Sequence, residues 1–316
     1  MNAPKAMIEV NGLSKRFGRT VALGGLDLTA QPGTVLGVLG PNGAGKTTAV
    51  RILTTLARPD GGSASVAGFD VVREPDEVRR RIGVTGQDAT LDELLTGRQN
   101  LLMIALLGGL GRRQARARAE DLLEQFELSD AADRMLRTYS GGMRRRLDLA
   151  AGVLTRPLVL FLDEPTTGLD PTSRARMWDV IRRLVADGTT LLLTTQYLDE
   201  ADELADRIVV IDHGRAIAAG TPAELKAQIG GARLEVTLAE ARPEARSALA
   251  PLVSGTIAVA HDGRRLRAPV DGAAPGLATT VIRALDQARV IVDDVQVRPP
   301  SLDDVFFALT GHSTRS

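Results

Sequence analysis

Apolar positions along the chain follow two rhythms, and the changes between them mark its parts. Ile8 to Val10 and Leu26 to Leu28, the latter inside the strand-like stretch Val21 to Thr29, alternate with polar residues in period two, as half-buried antiparallel strands do. Val35 to Leu39 is instead a continuous apolar run leading directly into glycines, which predicts a buried parallel strand. Leu158 to Leu162, Thr190 to Thr194 and Ile208 to Ile211 have the same character. Helical spacing in Arg174 to Ala186 and Ala201 to Ala205 separates these runs, and the alternation predicts a parallel α/β sheet. Between Leu91 and Gly152 the strand signal gives way to helical periodicity with Arg and Glu faces, clearest from Arg112 to Phe126. That block, about 88–155, predicts an all-helical insert.

Gly230-Gly231 marks the next boundary, so a domain over 1–229 and a smaller one over 230–316 are expected. In the second, strands are predicted at Leu234 to Leu238, Thr256 to Ala260, Arg264 to Pro269 and Val290 to Val297. Helices are predicted near Glu240 to Leu249, at Leu277 to Ala288 and from Leu302 to Leu309, the last opened by a Ser301/Asp304 capping box after Pro299-Pro300. The β-α-β-β-α-β order predicts a small ferredoxin-like α+β domain.

Composition narrows the partners. The 316 residues are 44% hydrophobic, enough for a packed core. Lys+Arg and Asp+Glu are both 39, so no nucleic-acid partner is expected from charge. With no cysteine, disulfides and thiolate metal sites are excluded. The first residues lack a signal-peptide pattern, and the most apolar stretch, Leu101 to Leu107, falls far short of the ~20 residues of a spanning helix. A soluble chain is expected, with any membrane role supplied through a partner.

The chemistry lies in three motifs. Gly40-Pro41-Asn42-Gly43-Ala44-Gly45-Lys46-Thr47 fits the phosphate-loop pattern, after an apolar strand and before a helix. Its glycines let backbone N–H groups converge on phosphates, Lys46 reaches the β- and γ-phosphates, and the Thr47 hydroxyl ligates Mg²⁺. Thr48 can add a hydroxyl nearer the α-phosphate. A second apolar strand ends in Asp163-Glu164, where Asp163 is the expected Mg²⁺ holder and Glu164 the expected general base for the attacking water. The third motif, Ser140-Gly141-Gly142 heading a helix, is another anion-facing device, and one nucleotide does not obviously need two.

These motifs, with Gly168-Leu169-Asp170, resemble an ABC-transporter ATPase subunit in order and spacing from Ile8 to about Pro222. The resemblance implies a P-loop ABC-type ATPase domain with a mixed-sheet core, an antiparallel β subdomain and a helical subdomain. It also implies a head-to-tail homodimer in which each ATP sits between one copy's phosphate loop and the other's Ser140 and Gly142, with Asp170 at the seam. Gln87 matches a glutamine that contacts Mg²⁺ and the attacking water, and Phe17 a ring placed against adenine. Gln196 stands where the family usually has a histidine contacting the γ-phosphate; an amide can position phosphate but cannot exchange a proton near neutrality. Val84 to Gln87, Leu95 to Leu101 and the tail Arg298 to Phe306 are similar to the daunorubicin/doxorubicin resistance ATP-binding subunits of bacterial drug exporters. Membership would imply a separate membrane-spanning permease, with the chain at the cytoplasmic face of the membrane and the block around Leu91 to Leu107 receiving the permease's coupling helix. The competing reading is a soluble ABC-type ATPase with a regulatory role outside transport.

Overall fold

The computed structural model describes residues 5–86, 91–229, 231–270 and 276–310, which form two compact units dividing after Pro222. The first begins with β1 (Ile8–Phe17), β2 (Thr20–Ala30), β3 (Val35–Leu39), α1 (Lys46–Leu53), β4 (Gly61–Val66), β5 (Phe69–Asp70), α2 (Pro75–Arg79) and β6 (Ile82–Thr85). A helical block follows, with α3 (Gly97–Leu107), α4 (Arg112–Gln125) and α5 (Gly141–Gly152). The chain then alternates β7 (Val159–Asp163), α6 (Pro171–Ala186), β8 (Thr190–Thr195), α7 (Leu198–Leu204), β9 (Arg207–Asp212) and β10 (Arg215–Gly220).

Two sheets result. The continuous apolar runs become the centre of a six-stranded sheet ordered β10-β9-β3-β8-β7-β6, parallel except for the β9–β10 hairpin. All five residues of β3 and of β7 are buried, as strands covered on both faces require. The period-two segments form an antiparallel sheet ordered β2-β1-β4-β5. Its inward residues, among them Ile8, Val10, Leu26 and Leu28, share one core with α1 and with Val38 and Phe161 of the larger sheet. In the helical block α4 buries Ala115, Ala119, Leu122 and Leu123 on one stripe, and Thr96 with Gln99 forms a capping box on α3.

The second unit holds α8 (Pro222–Gln228), β11 (Ala232–Leu238), α9 (Glu244–Leu249), β12 (Ala258–Val259), β13 (Arg265–Val270), α10 (Leu277–Gln287), β14 (Val292–Arg298) and α11 (Leu302–Thr310). Its antiparallel sheet runs β12-β13-β11-β14, the ferredoxin-like order, over a core of its own that includes Val236, Leu266 and Val281. The expected cap is present: Ser301 N–H donates to the Asp304 carboxylate at 2.8 Å, and Asp304 N–H returns to the Ser301 hydroxyl at 3.4 Å.

Several elements differ from expectation. The strands β4, β5 and β10 carry small residues or only two positions, so periodicity did not mark them. Leu158, expected inside a strand, precedes β7 and is 48% exposed. The helix expected from Arg174 starts at Pro171, because Asp170 caps it and proline suits the first helical position. Among the described residues no helix is long and apolar enough to cross a membrane.

Two contacts fix the setting of the site. The turn at His213-Gly214, both at positive φ, closes the β9–β10 hairpin, and Gly214 N–H donates to the Ala44 carbonyl at 2.9 Å while its own carbonyl accepts from Gly24 N–H at 2.9 Å. Helix α5 meets β6 where Gly83 faces Gly152, so closely that a Cβ on Gly83 would overlap the Gly152 carbonyl oxygen. Gly83→Ala should therefore destabilise the protein by about 1–3 kcal/mol, as overpacking does. The check is a lower denaturation midpoint in urea at unchanged slope.

Candidate functional site

Strand β3 ends at Leu39, and the glycine loop carries the chain directly into α1 at Lys46. Gly45 has φ 109°, and a side chain there would press on the Ala22 carbonyl of β2, so the loop passes β2 only as glycine. Lys46 folds back over the loop. Its Nζ donates to the Gly40 carbonyl at 2.7 Å and the Pro41 carbonyl at 3.2 Å, and lies 3.8 Å from the Glu164 carboxylate. The residue is only 5% exposed. Burial pushes its pKa down, while the charges of Glu164 and then Asp163 push it up. Ala44 is buried and Thr48 half-buried, whereas Asn42, Gly43 and Thr47 are exposed at the mouth of the loop.

Asp163 is the last residue of β7 and Glu164 the first beyond it. The Asp163 carboxylate accepts hydrogen bonds from the Thr47 hydroxyl, at 3.1 Å, and from the Thr194 hydroxyl of β8. Glu164 adopts φ 50°, rare outside glycine, and its N–H donates to the Thr194 carbonyl at 3.0 Å. The Thr167 hydroxyl donates to the Glu164 carboxylate at 3.3 Å. The donor set fits ATP with a hard divalent cation. A desolvated ammonium stands over the loop, and one hydroxyl and one carboxylate face each other at the mouth of α1. Among the described residues no cluster of three His, Cys, Asp or Glu side chains could hold a metal ion, so a cation here would rely on phosphate and water oxygens beside Thr47 and Asp163 for much of its shell.

Ser140 and Gly142 belong to a second group. Ser140 caps α5, its hydroxyl accepting from Met143 N–H at 3.3 Å. Asp170 caps α6, accepting from Ser173 N–H at 3.0 Å and from the Ser173 hydroxyl at 2.6 Å, bonds that hold its carboxyl below the usual range. A Cβ on Gly142 would come within 3.0 Å of that same Ser173 hydroxyl, so the two helix starts adjoin. Phe17 stands 57% exposed at the tip of the β1–β2 hairpin, with Lys15 Nζ 5.6 Å from its ring centre. Gln196 is half-buried just past β8, two residues beyond Thr194. Gln87 lies outside the described residues.

A family profile described as ABC transporter matches residues 23–167. Another, the C-terminal domain of the DrrA1-3-like ATP-binding proteins, matches residues 220–310. Over 311 residues the chain is 57% identical to the daunorubicin resistance ATP-binding protein DrrA2 of Streptomyces coeruleorubidus, spanning 98% of this chain and 96% of that protein. The chain belongs to the ABC-transporter ATP-binding subunits, in the daunorubicin/doxorubicin resistance subgroup. It is 53% identical over 311 residues to the daunorubicin/doxorubicin resistance ATP-binding protein DrrA of Streptomyces peucetius, spanning 98% of this chain and 94% of that one. A solved structure of the ATP-binding subunit of an ABC transporter superposes with a TM-score of 0.64 at 28% identity, covering 71% of this chain and 93% of its own. As a member of this family the chain binds nucleotide and is an ABC-type ATPase.

Two residues beside the site escaped sequence reasoning. Thr194 read only as the end of a buried strand, yet its hydroxyl and carbonyl hold Asp163 and Glu164 in place. Arg145 was one of three consecutive arginines; it reaches from α5 to the carbonyls of Asp163, Glu164 and Pro165 and to the Asp148 carboxylate, at 3.2 Å. Burial raises the pKa of Asp148 to about 6, the Arg145 charge opposing that rise. A carboxyl more easily protonated when folded favours the folded state at low pH and loses that contribution as pH rises. Stability should fall between about pH 4 and 6, by on the order of 3 kcal/mol from this group. Urea titrations of the parent and Asp148→Asn across that range should show the pH-dependent difference, flat above pH 7.

Proposed function

We propose that the chain hydrolyses MgATP in a head-to-tail homodimer and so powers export of drugs or antibiotics through a separate membrane-spanning permease. The observation that carries this reading is the division of the anion-facing groups. Lys46 pairs with Glu164 and Thr47 with Asp163, while Ser140 and Gly142 head a different helix, where Gly142 approaches Ser173, itself bonded to Asp170. The second group has no phosphate to face within its own chain in this scheme, and a second copy supplies one. On this reading 1–229 is the ATP-binding domain, with its helical subdomain over about 88–155, and 230–316 is a separate domain.

The phosphate loop from Gly40 to Thr48 holds the triphosphate by backbone N–H groups and Lys46, with Phe17 stacking on adenine and Gln196 positioning the γ-phosphate. Thr47, Asp163 and Gln87 would hold Mg²⁺, whose charge offsets that building on the phosphate oxygens. Glu164 takes the proton of the attacking water, a task Gln196 cannot share. The 57% identity to a daunorubicin resistance protein supports export of drug-like compounds, and the permease would hold the chain at the cytoplasmic face of the membrane. The exposed leucines Leu94, Leu106 and Leu107 on the helical block suit that contact.

Glu164→Gln should bind ATP but lose at least about a hundredfold in turnover, and should accumulate as an ATP-bound dimer in light scattering. Lys46→Ala should lose nucleotide binding. Ser140→Arg should keep ATP binding by the isolated chain and lose hydrolysis; hydrolysis at the parent rate would sink the shared-site reading.

A further inference from the structure

We propose that Arg145 is a positioning residue for hydrolysis, tying the turn that carries Glu164 to the helix that presents Ser140 and Gly142. The link between the two halves of the shared site rests on the dimeric reading above.

A guanidinium has five N–H groups in a rigid plane, and here each finds an acceptor. Nε donates to the Pro165 carbonyl at 2.7 Å, and Nη2 donates to the carbonyls of Asp163 at 3.1 Å and Glu164 at 3.0 Å. Nη1 donates to the Gly86 carbonyl at 3.0 Å and to the Asp148 carboxylate at 3.2 Å. Three successive carbonyls therefore converge on one side chain, across the residue with φ 50°. A left-handed conformation at a non-glycine residue persists only where its surroundings over-determine it. On one side Thr194 receives the Glu164 N–H, and on the other Arg145 gathers the carbonyls.

The same arginine sits on the N-terminal half of α5, a helix whose first turn carries Gly142 and whose cap is Ser140. The far end of α5 is locked to β6 by the approach of Gly83 to Gly152. Any shift of the α5 start on meeting a neighbouring copy is thus passed to the backbone of Glu164, and to Gly86 at the exit of β6. Lysine cannot replace this tie, because a single ammonium cannot span carbonyls on two strand ends and a carboxylate in one plane.

The test uses the full chain, alone for exchange and binding, and in complex with the membrane subunit that co-purifies with it for turnover. Arg145→Lys should speed amide exchange across 163–169 at least about tenfold in the nucleotide-free chain, at unchanged exchange in β1 and β2. At saturating MgATP it should lower kcat at least about tenfold per ATP-binding site, with KM within about threefold. Because the effect passes through Glu164, the double variant Arg145→Lys/Glu164→Gln should be no slower than Glu164→Gln alone. Should Arg145→Lys fold poorly, Arg145→Gln, which keeps a planar amide, takes its place and should give a smaller loss of the same kind. Parental exchange over 163–169 with parental kcat would overturn the proposal, as would an equal loss of rate in the Glu164→Gln background. Failure of the dimeric reading shows separately, as turnover untouched by Ser140→Arg, whereas the exchange result needs no second copy.

Discussion

A lysine ammonium and two carboxylates are held out of water beyond the ends of β3 and β7, which flank β8, and the arrangement of the first unit follows from keeping them balanced. A charge so placed is tolerated only if opposite charge and hydrogen-bond partners stand within reach. Lys46 finds two carbonyls of its own loop and the carboxylate of Glu164, and Asp163 finds hydroxyls from α1 and β8. These partners come from three separate segments, the loop leading into α1, the end of β7 and β8, so the parallel sheet must be assembled before the charges can be satisfied. Phosphate binding would then exchange carbonyl and carboxylate neighbours of Lys46 for stronger anionic ones.

Much of the architecture was legible because each strand type leaves its own imprint. β3, β7, β8 and β9 are covered on both faces and show as unbroken apolar runs, while β1 and β2 face the core on one side and alternate. The β4, β5 and β10 strands were not legible: their residues are small or few, and their pairing is decided by neighbours distant in the chain. In the site, Lys46, Thr47, Asp163 and Glu164 could be named because their spacing is fixed within short motifs. Thr194 and Arg145 could not, since what makes them matter is a neighbour 31 residues away in one case and 18 to 59 residues away in the other.

The glutamine at position 196 has a physical setting that tempers its oddity. It follows a β8 end already committed to orienting the two carboxylates through Thr194, so this edge of the site is built from neutral hydrogen-bonding groups. Such groups keep the same charge across the physiological range. On the proposed reading, proton transfer is left to the acidic end of β7, and the edge that Gln196 occupies serves shape and orientation.

The hairpin between β9 and β10 shows that accessibility and permissiveness are different properties. His213 is 95% exposed at its tip, the kind of place where insertions and tags are ordinarily accepted. Yet its neighbour Gly214 bridges β2 and the phosphate loop through Gly24 and Ala44. The turn acts as a clasp between β2 and the glycine loop, its length set by what it fastens, so lengthening it would loosen the loop at a distance in sequence from the loop's own residues.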